Sequence, residues 1–296
     1  MDAVLQFFRT NVSSKLALPF LFIIMWSSGY VAGKIGLPYA GPFTLILIRF
    51  SSAALILLAV AFATKAVWPK SLKEYLHLIV VGLLIQALQF AGLYSGLKFG
   101  VTAGVSALIV GTMPIFTALG AGWFLNEKVT IRQWGGLIIG LFGVGLVVSN
   151  KVGFGDVASG GYFAVVLALV GITAGTLYQK KFCVGMDLRT GGFVQLTVAS
   201  VVMFFLAKNF EGFDVQWTTP LILSSAWLSV VNSIGAISLL YIMMRKGEAS
   251  KVASLFYLIP SVTAIMGFLV LGEKLSDIAL IGFLVTASGV YITTKK

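Results

Sequence analysis

The sequence predicts an all-α integral membrane protein of ten transmembrane helices, built as two inverted five-helix repeats with both ends in the cytoplasm. Three observations predict it. The 296-residue chain is 58% apolar and 10% charged, with a mean hydropathy of +1.00, whereas a soluble domain is about a quarter charged. Its apolar residues fall in long runs. Its second half repeats the polar landmarks of the first in one ungapped register.

A helix needs about 20 apolar residues to cross the ~30 Å hydrocarbon layer. Runs of that kind predict helices over 17–35, 42–64, 76–97, 102–124 and 132–149 in the first half. The second half has them over 159–179, 191–208, 219–244, 249–272 and 276–293. The first follows a polar arm, lacks a small-residue cleavage site and continues for a full span, so it reads as a retained helix. No connection exceeds about a dozen residues, which leaves no soluble domain. Cys183, the only cysteine, falls in a connection and excludes an internal disulfide.

The net charge of +11 would suit nucleic acid, but its placement speaks for topology and against a nucleic-acid partner. With the N-terminus inside, fifteen Lys and Arg fall on inner segments. Only Lys34, Lys98, Lys151, Lys208 and Lys274 occupy outer ends and loops, and Arg49 lies within a helix. That is the positive-inside pattern.

The stretches FLNEKV (124–129) and VLGEKL (270–275) stand 146 residues apart. In the same register Pro114 meets Pro260, Thr117-Ala118 meets Thr263-Ala264, Gly136 meets Gly282 and Gly143-Val144 meets Gly289-Val290. Lys34 meets Lys180, and the polar Gln86 meets Asn232. The repeats therefore cover 1–150 and 151–296. Five spans per half is an odd number, so the second copy runs upside down and Glu127 and Glu273 face opposite compartments. Inverted repeats of this kind build many secondary transporters.

Each half ends in an xPxxTA helix, an L-x-E-K turn and a Gly-rich last helix; the first opens on WSSGYVAGK (26–34), followed by Arg49-Phe50 in the next helix. In these features the chain resembles the EamA branch of the drug/metabolite transporter superfamily, over essentially its whole length. The resemblance implies a transporter, with the aromatic amino acid exporters as the nearest subgroup. It also implies a central cavity walled by helices 1, 3, 4, 6, 8 and 9. On those helices the candidate substrate-binding residues are Trp26, Ser28, Tyr30, Gln86, Gln89, Phe90, Tyr94, Met113, Thr176, Tyr178, Asn232 and Tyr257. Amides and hydroxyls mixed with aromatic faces suit a zwitterion with an apolar side chain. Ser, Thr, Trp and Tyr also serve as helix glue and interface anchors. Gln86 and Asn232, mid-helix amides at matching repeat positions, stand out most.

Every Asp and Glu falls at a predicted helix end or connection, so no buried acid is offered for proton coupling. His77 sits at the start of the third helix and reads as interfacial. Facilitated diffusion of an amino acid or similar metabolite, outward across a bacterial plasma membrane, follows as the expectation. A proton-coupled multidrug exporter is the alternative; an intramembrane enzyme is a distant one, since clustered His, Asp, Glu or Cys are missing. No metal or cofactor is expected, and a monomer is compatible.

Arg49 lies about 10 Å inside its helix at 1.5 Å per residue, and Lys34 ends the first helix on the same side. They form either interface anchors or a positive outer vestibule for a carboxylate or phosphate. Pro114 and Pro260 leave carbonyls unbonded and are candidate hinges. The spacings Gly29/Gly33, Gly92/Gly96, Gly136/Gly140 and Gly171/Gly175 read as close helix packing, and the Glu-Lys turns as helix-end locks.

Overall fold

The computed structural model describes residues 14–99, 101, 106, 109–149, 159–272 and 276–295. Among these residues the architecture is all helical, with one isolated bridge between Ala40 and Val215. Eight helices are long and apolar enough to cross a membrane, and two apolar helices are shorter. The eight are α1 (Ser14–Gly36), α2 (Pro42–Ala63), α3 (Leu72–Lys98), α6 (Ser159–Phe182), α7 (Leu188–Phe210), α8 (Thr219–Lys246), α9 (Ala249–Leu271) and α10 (Asp277–Thr294). The shorter two are α4 (Met113–Phe124) and α5 (Ile131–Val148). Helix α4 is shorter than the run 102–124 because Pro114 occupies its first turn, after a bend at residues 111–112. There its missing N–H costs nothing. Residues 102–105 and 107–108 of that run, and Glu273, lie outside the described residues.

Local chemistry sets several helix starts. Ser71 caps α3 by accepting from the Glu74 backbone N–H, Thr130 and Gln133 form a capping box on α5, and Ser276 caps α10. Large apolar side chains such as Phe20, Leu55, Phe62, Trp123, Phe163 and Leu269 are exposed on the outer faces of the bundle. That surface belongs against lipid chains, not water.

Without a hydrophobic force between helices in lipid, close packing holds the bundle. Helices α5 and α10 meet backbone to backbone. A Cβ at Gly136 would fall 2.7 Å from Gly289 O, one at Gly143 2.9 Å from Gly282 O, one at Gly282 2.8 Å from Gly143 O, and one at Gly289 2.7 Å from Gly136 O. The chain numbers run in opposite senses along the pair, so the helices are antiparallel. Helices α2 and α7 pack through Phe50, Ala53, Leu57, Leu196, Ala199 and Met203. Helix α3 lies against α6, while α1 lies against α8 and α9.

Two helices contain π-helical segments, Gly82–Leu88 in α3 and Leu228–Ala236 in α8, and both begin at the same place in the repeat register. Each carries one of the two amides singled out above. In α9 a 3-10 turn at Leu255–Tyr257 precedes Pro260. Proline cannot donate to Phe256 O, which suits a change of helix type at that point.

Both ends of the bundle are fastened. At one, the Glu211 carboxylate accepts from Phe43 N (2.8 Å) and Thr44 N (2.7 Å), capping α2 where the helix dipole favours an anion. At the other, Glu127 pairs with Lys180 at 2.5 Å and accepts from Ala249 N at 2.8 Å. The first Glu-Lys turn is thus a lock between α4–α5, α6 and α9. Beside it, burial works against ionisation of Glu248, yet hydrogen bonds from Lys251 and Gln133 hold its carboxyl below the usual range.

Candidate functional site: a central chamber and an open cleft

Trp26, Gly29 and Tyr30 of α1, Arg49 of α2, Gln89, Phe90, Leu93 and Tyr94 of α3, and Asn232 of α8 enclose a small chamber. Its free space is about 60 Å³, room for about two waters at ~30 Å³ each. An amino acid enters only if the walls move apart.

Arg49 is 8% exposed and anchored on three sides. Its Nε donates to Ser233 Oγ at 2.6 Å, and its guanidinium carbon lies 4.9 Å from the Phe90 ring centroid and 5.4 Å from that of Phe50. Aromatic faces and a hydroxyl hold the cation where it would otherwise be costly. Among the described residues, Nε is the only guanidinium nitrogen with a recorded partner, and a guanidinium has five N–H donors. The rest of that donor set is available to a ligand.

Asn232 reaches α1 through its amide nitrogen, which donates to Met25 O at 2.5 Å. Glycine at position 29 makes this possible, since a Cβ there would stand 2.4 Å from Asn232 Nδ2. The other end of the amide, Oδ1, is buried and has no donor among the described residues; the same holds for Gln89 Oε1. Unsatisfied buried acceptors are uncommon and call for a reason. A cation, two such acceptors and four aromatic rings are groups of the kinds that recognise a carboxylate, an ammonium group and an apolar side chain, though the chamber admits all three only once its walls part.

Of the candidate substrate-binding residues, Trp26, Tyr30, Gln89, Phe90, Tyr94 and Asn232 line this chamber, and Arg49, read from the sequence as an interface anchor or outer vestibule charge, lies on its wall beside them. The other candidates do not line the chamber. Ser28 donates to Met25 O and accepts from Trp227 Nε1 at 2.9 Å. Gln86 is buried one turn from Gln89, and its Oε1 has no partner among the described residues. Met113 and Thr176 are buried in helix packing, and Tyr257 is fully buried with its ring against Gly140. Tyr178 hydrogen-bonds His77 Nδ1 at 2.7 Å, and the His77 ring stacks on Phe182 at 4.7 Å. Lys34 is exposed in the last turn of α1. Pro114 and Pro260 sit at helix breaks, not on the chamber wall. All described acidic residues (Glu74, Glu127, Asp187, Glu211, Asp214, Glu248 and Asp277) occupy helix ends or connections.

Sequence reading did not anticipate a second cavity of about 580 Å³, lined by Val67–Lys70 and Glu74, by Phe182 and Gly185–Asp187, and by Thr190 and Arg245. It opens between the α2–α3 and α6–α7 connections. Hydrogen bonds from Arg189 hold the Asp187 carboxyl below its usual range. Cys183, next to the cleft-lining Phe182 in sequence, is buried, and burial pushes its thiol up to about 12. At the opposite end of the bundle the Ala40–Val215 bridge zips the α1–α2 and α7–α8 connections together. In the repeat register those two residues correspond to Met186 and Pro69, which line the open cleft. One end is closed where the other gapes.

The sequence profile of the EamA-like transporter family matches residues 14–149 and, a second time, 159–295. The uncharacterised transporter YvbV of Bacillus subtilis is 31% identical over 95% of this chain and 91% of its own length. A Salmonella typhimurium protein named as a probable amino-acid metabolite efflux pump is 28% identical over 93% of each chain. The uncharacterised inner membrane transporter YedA of Escherichia coli is 26% identical over 93% of this chain and 89% of its own. A crystal structure with 18% identity covers 96% of this chain and 97% of its own with a TM-score of 0.79, a likeness of fold.

Proposed function

The chain belongs to the EamA-like transporter family and is a multi-pass membrane transporter, and on that premise we propose that it carries small zwitterionic metabolites. Amino acids with apolar or aromatic side chains head the class, moved outward by alternating access around the central chamber. The observation that carries this reading is the chamber's donor and acceptor set. Arg49 supplies donors for a carboxylate, Gln89 Oε1 and Asn232 Oδ1 supply acceptors for an ammonium group, and Trp26, Phe90 and Tyr94 supply the apolar wall. The efflux pump named among the relatives points to the same substrate class.

Residues 1–150 and 151–296 act in this account as inverted five-helix repeats of ten membrane helices, with both termini cytoplasmic in a bacterial inner membrane. Support comes from the two family matches, the shared starts of the π-helical segments, and the reciprocal glycine contacts of α5 and α10. Such mutual contacts characterise a two-fold axis. The cleft then faces the cytoplasm and the Ala40–Val215 closure faces out. Movement is facilitative, because no described acid approaches the chamber. A cationic chamber also disfavours the positively charged drugs of the multidrug alternative.

Counterflow into proteoliposomes tests the reading. Proteoliposomes preloaded with unlabelled amino acids should accumulate labelled phenylalanine or leucine above protein-free vesicles. Uptake of organic cations but no amino acid would overturn it, and proton movement locked to substrate would overturn facilitation.

A further inference from the structure

Between the cleft and the chamber the structure holds a chain of buried uncharged polar groups. Tyr241 OH donates to Gln195 Oε1 at 2.8 Å, and Gln195 Nε2 donates to Gln179 Oε1 at 3.1 Å. The three residues are 4%, 1% and 4% exposed, and they come from α8, α7 and α6. Each sits about one turn from a cleft-lining residue: Tyr241 from Arg245, Gln195 from Thr190, Gln179 from Phe182. On α8, Tyr241 also lies between Arg245 of the cleft and Asn232 of the chamber. Helix α3 closes the fourth side, where Gly82 lies against the Gln195 backbone and Gln86 Oε1 has no donor among the described residues.

Three hydrogen-bonding side chains at membrane depth are an expensive way to fill space. Their register gives them a meaning. Gln195 and Arg49 meet in the repeat register, so each occupies the same place in its own half, and each bonds a hydroxyl group on α8. In Arg49 that place is cationic; in Gln195 it is neutral.

We infer that Gln195, with Tyr241 and Gln179, forms a second substrate station on the cleft side of the chamber, the uncharged counterpart of Arg49. This rests on the proposed zwitterion path. The amides and the phenol exchange their mutual hydrogen bonds for bonds to the ammonium or carboxylate of the passing substrate. The bonds re-form behind it, closing the cleft from the chamber. A neutral station accepts either polar end and does not retain a carboxylate, whereas the same position in the other half favours one.

A Cys183→Ser, Gln195→Cys protein in oriented vesicles tests this directly. Methanethiosulfonate ethyltrimethylammonium, whose fixed charge keeps it from crossing the bilayer, should modify position 195 when added on the cleft side, and the reagent confined to the opposite side should react far more slowly. Absence of modification from the cleft side would overturn the station, whether or not the wild type moves amino acids. Where the wild type shows phenylalanine counterflow, saturating phenylalanine should slow the modification, and Gln195→Met and Tyr241→Phe should each cut counterflow by about two- to tenfold with thermal stability retained. Wild-type counterflow in both folded variants would also overturn it. If the wild type shows no counterflow but position 195 is modified from the cleft, the path stands and the substrate class falls.

Discussion

Arg49 Nε donates to Ser233 Oγ at 2.6 Å, joining two residues 184 positions apart and binding the first half of the chain to the second at the chamber wall. The bond uses one donor of a cation that otherwise rests on two aromatic rings. It orients the guanidinium without neutralising it. Substitution of Arg49 therefore separates a carboxylate anchor from a structural brace.

Arg49→Gln is expected to lower amino acid counterflow by about tenfold or more, the scale of a charge-assisted hydrogen bond. Amide derivatives lacking the carboxylate should be affected much less. Ser233→Ala keeps the charge and should have a smaller effect. Equal loss for acids and amides would assign Arg49 to the brace alone.

Gly29→Ala is expected to act as a substitution of Asn232. A methyl at position 29 would stand 2.4 Å from Asn232 Nδ2, so the amide must leave Met25 O. Counterflow should fall by a similar factor in Gly29→Ala and Asn232→Ala, and the double variant should be little worse than either. Additive losses would contradict the coupling.

Gly136→Leu places a branched side chain into the backbone contact with Gly289 and Thr293. Overpacking of this kind costs about 1–3 kcal/mol, and thermal unfolding in detergent should move down by several degrees. The same change at Gly145, where a Cβ meets nothing within 4 Å, should be nearly neutral. Similar shifts at both positions would remove the glycine seam from the account.

Sidedness follows from the fastenings at the two ends. In a Cys183→Ser background, single cysteines at positions 127 and 211 should be labelled from opposite compartments, 127 from the cytoplasm. Labelling from one compartment would undo the inverted arrangement and the assignment of the cleft.

The composition made the membrane and the helices legible, because in lipid nearly every residue of a span must be apolar. Close packing at Gly136 was legible from its spacing to Gly140, but the partner helix was not: the seam sets Gly136 against Gly289 and Gly143 against Gly282. The residues that line the chamber from α1 and α3 were already candidates because adjacent turns carry Trp26 and Tyr30, or Gln89 and Tyr94. Side-chain direction on α9 did not: Tyr257 turns from the chamber toward Gly140, where the missing Cβ admits its ring. The π-helical segments were invisible, since their extra residue per turn rotates the helix without a distinctive sequence. Gln195 was missed although it carried a signal, a mid-helix amide in register with Arg49, because α7 is not among the helices the family resemblance places around the cavity.

Leu93 lines the chamber but carries none of the proposed polar contacts, so a cysteine there reports access without removing a ligand group. A Cys183→Ser, Leu93→Cys protein in sealed, oriented vesicles should react with an impermeant thiol reagent added to either side, in separate experiments, and phenylalanine should protect it in both. Reaction from one side only, in the presence and absence of substrate, would contradict alternating access to a shared central chamber.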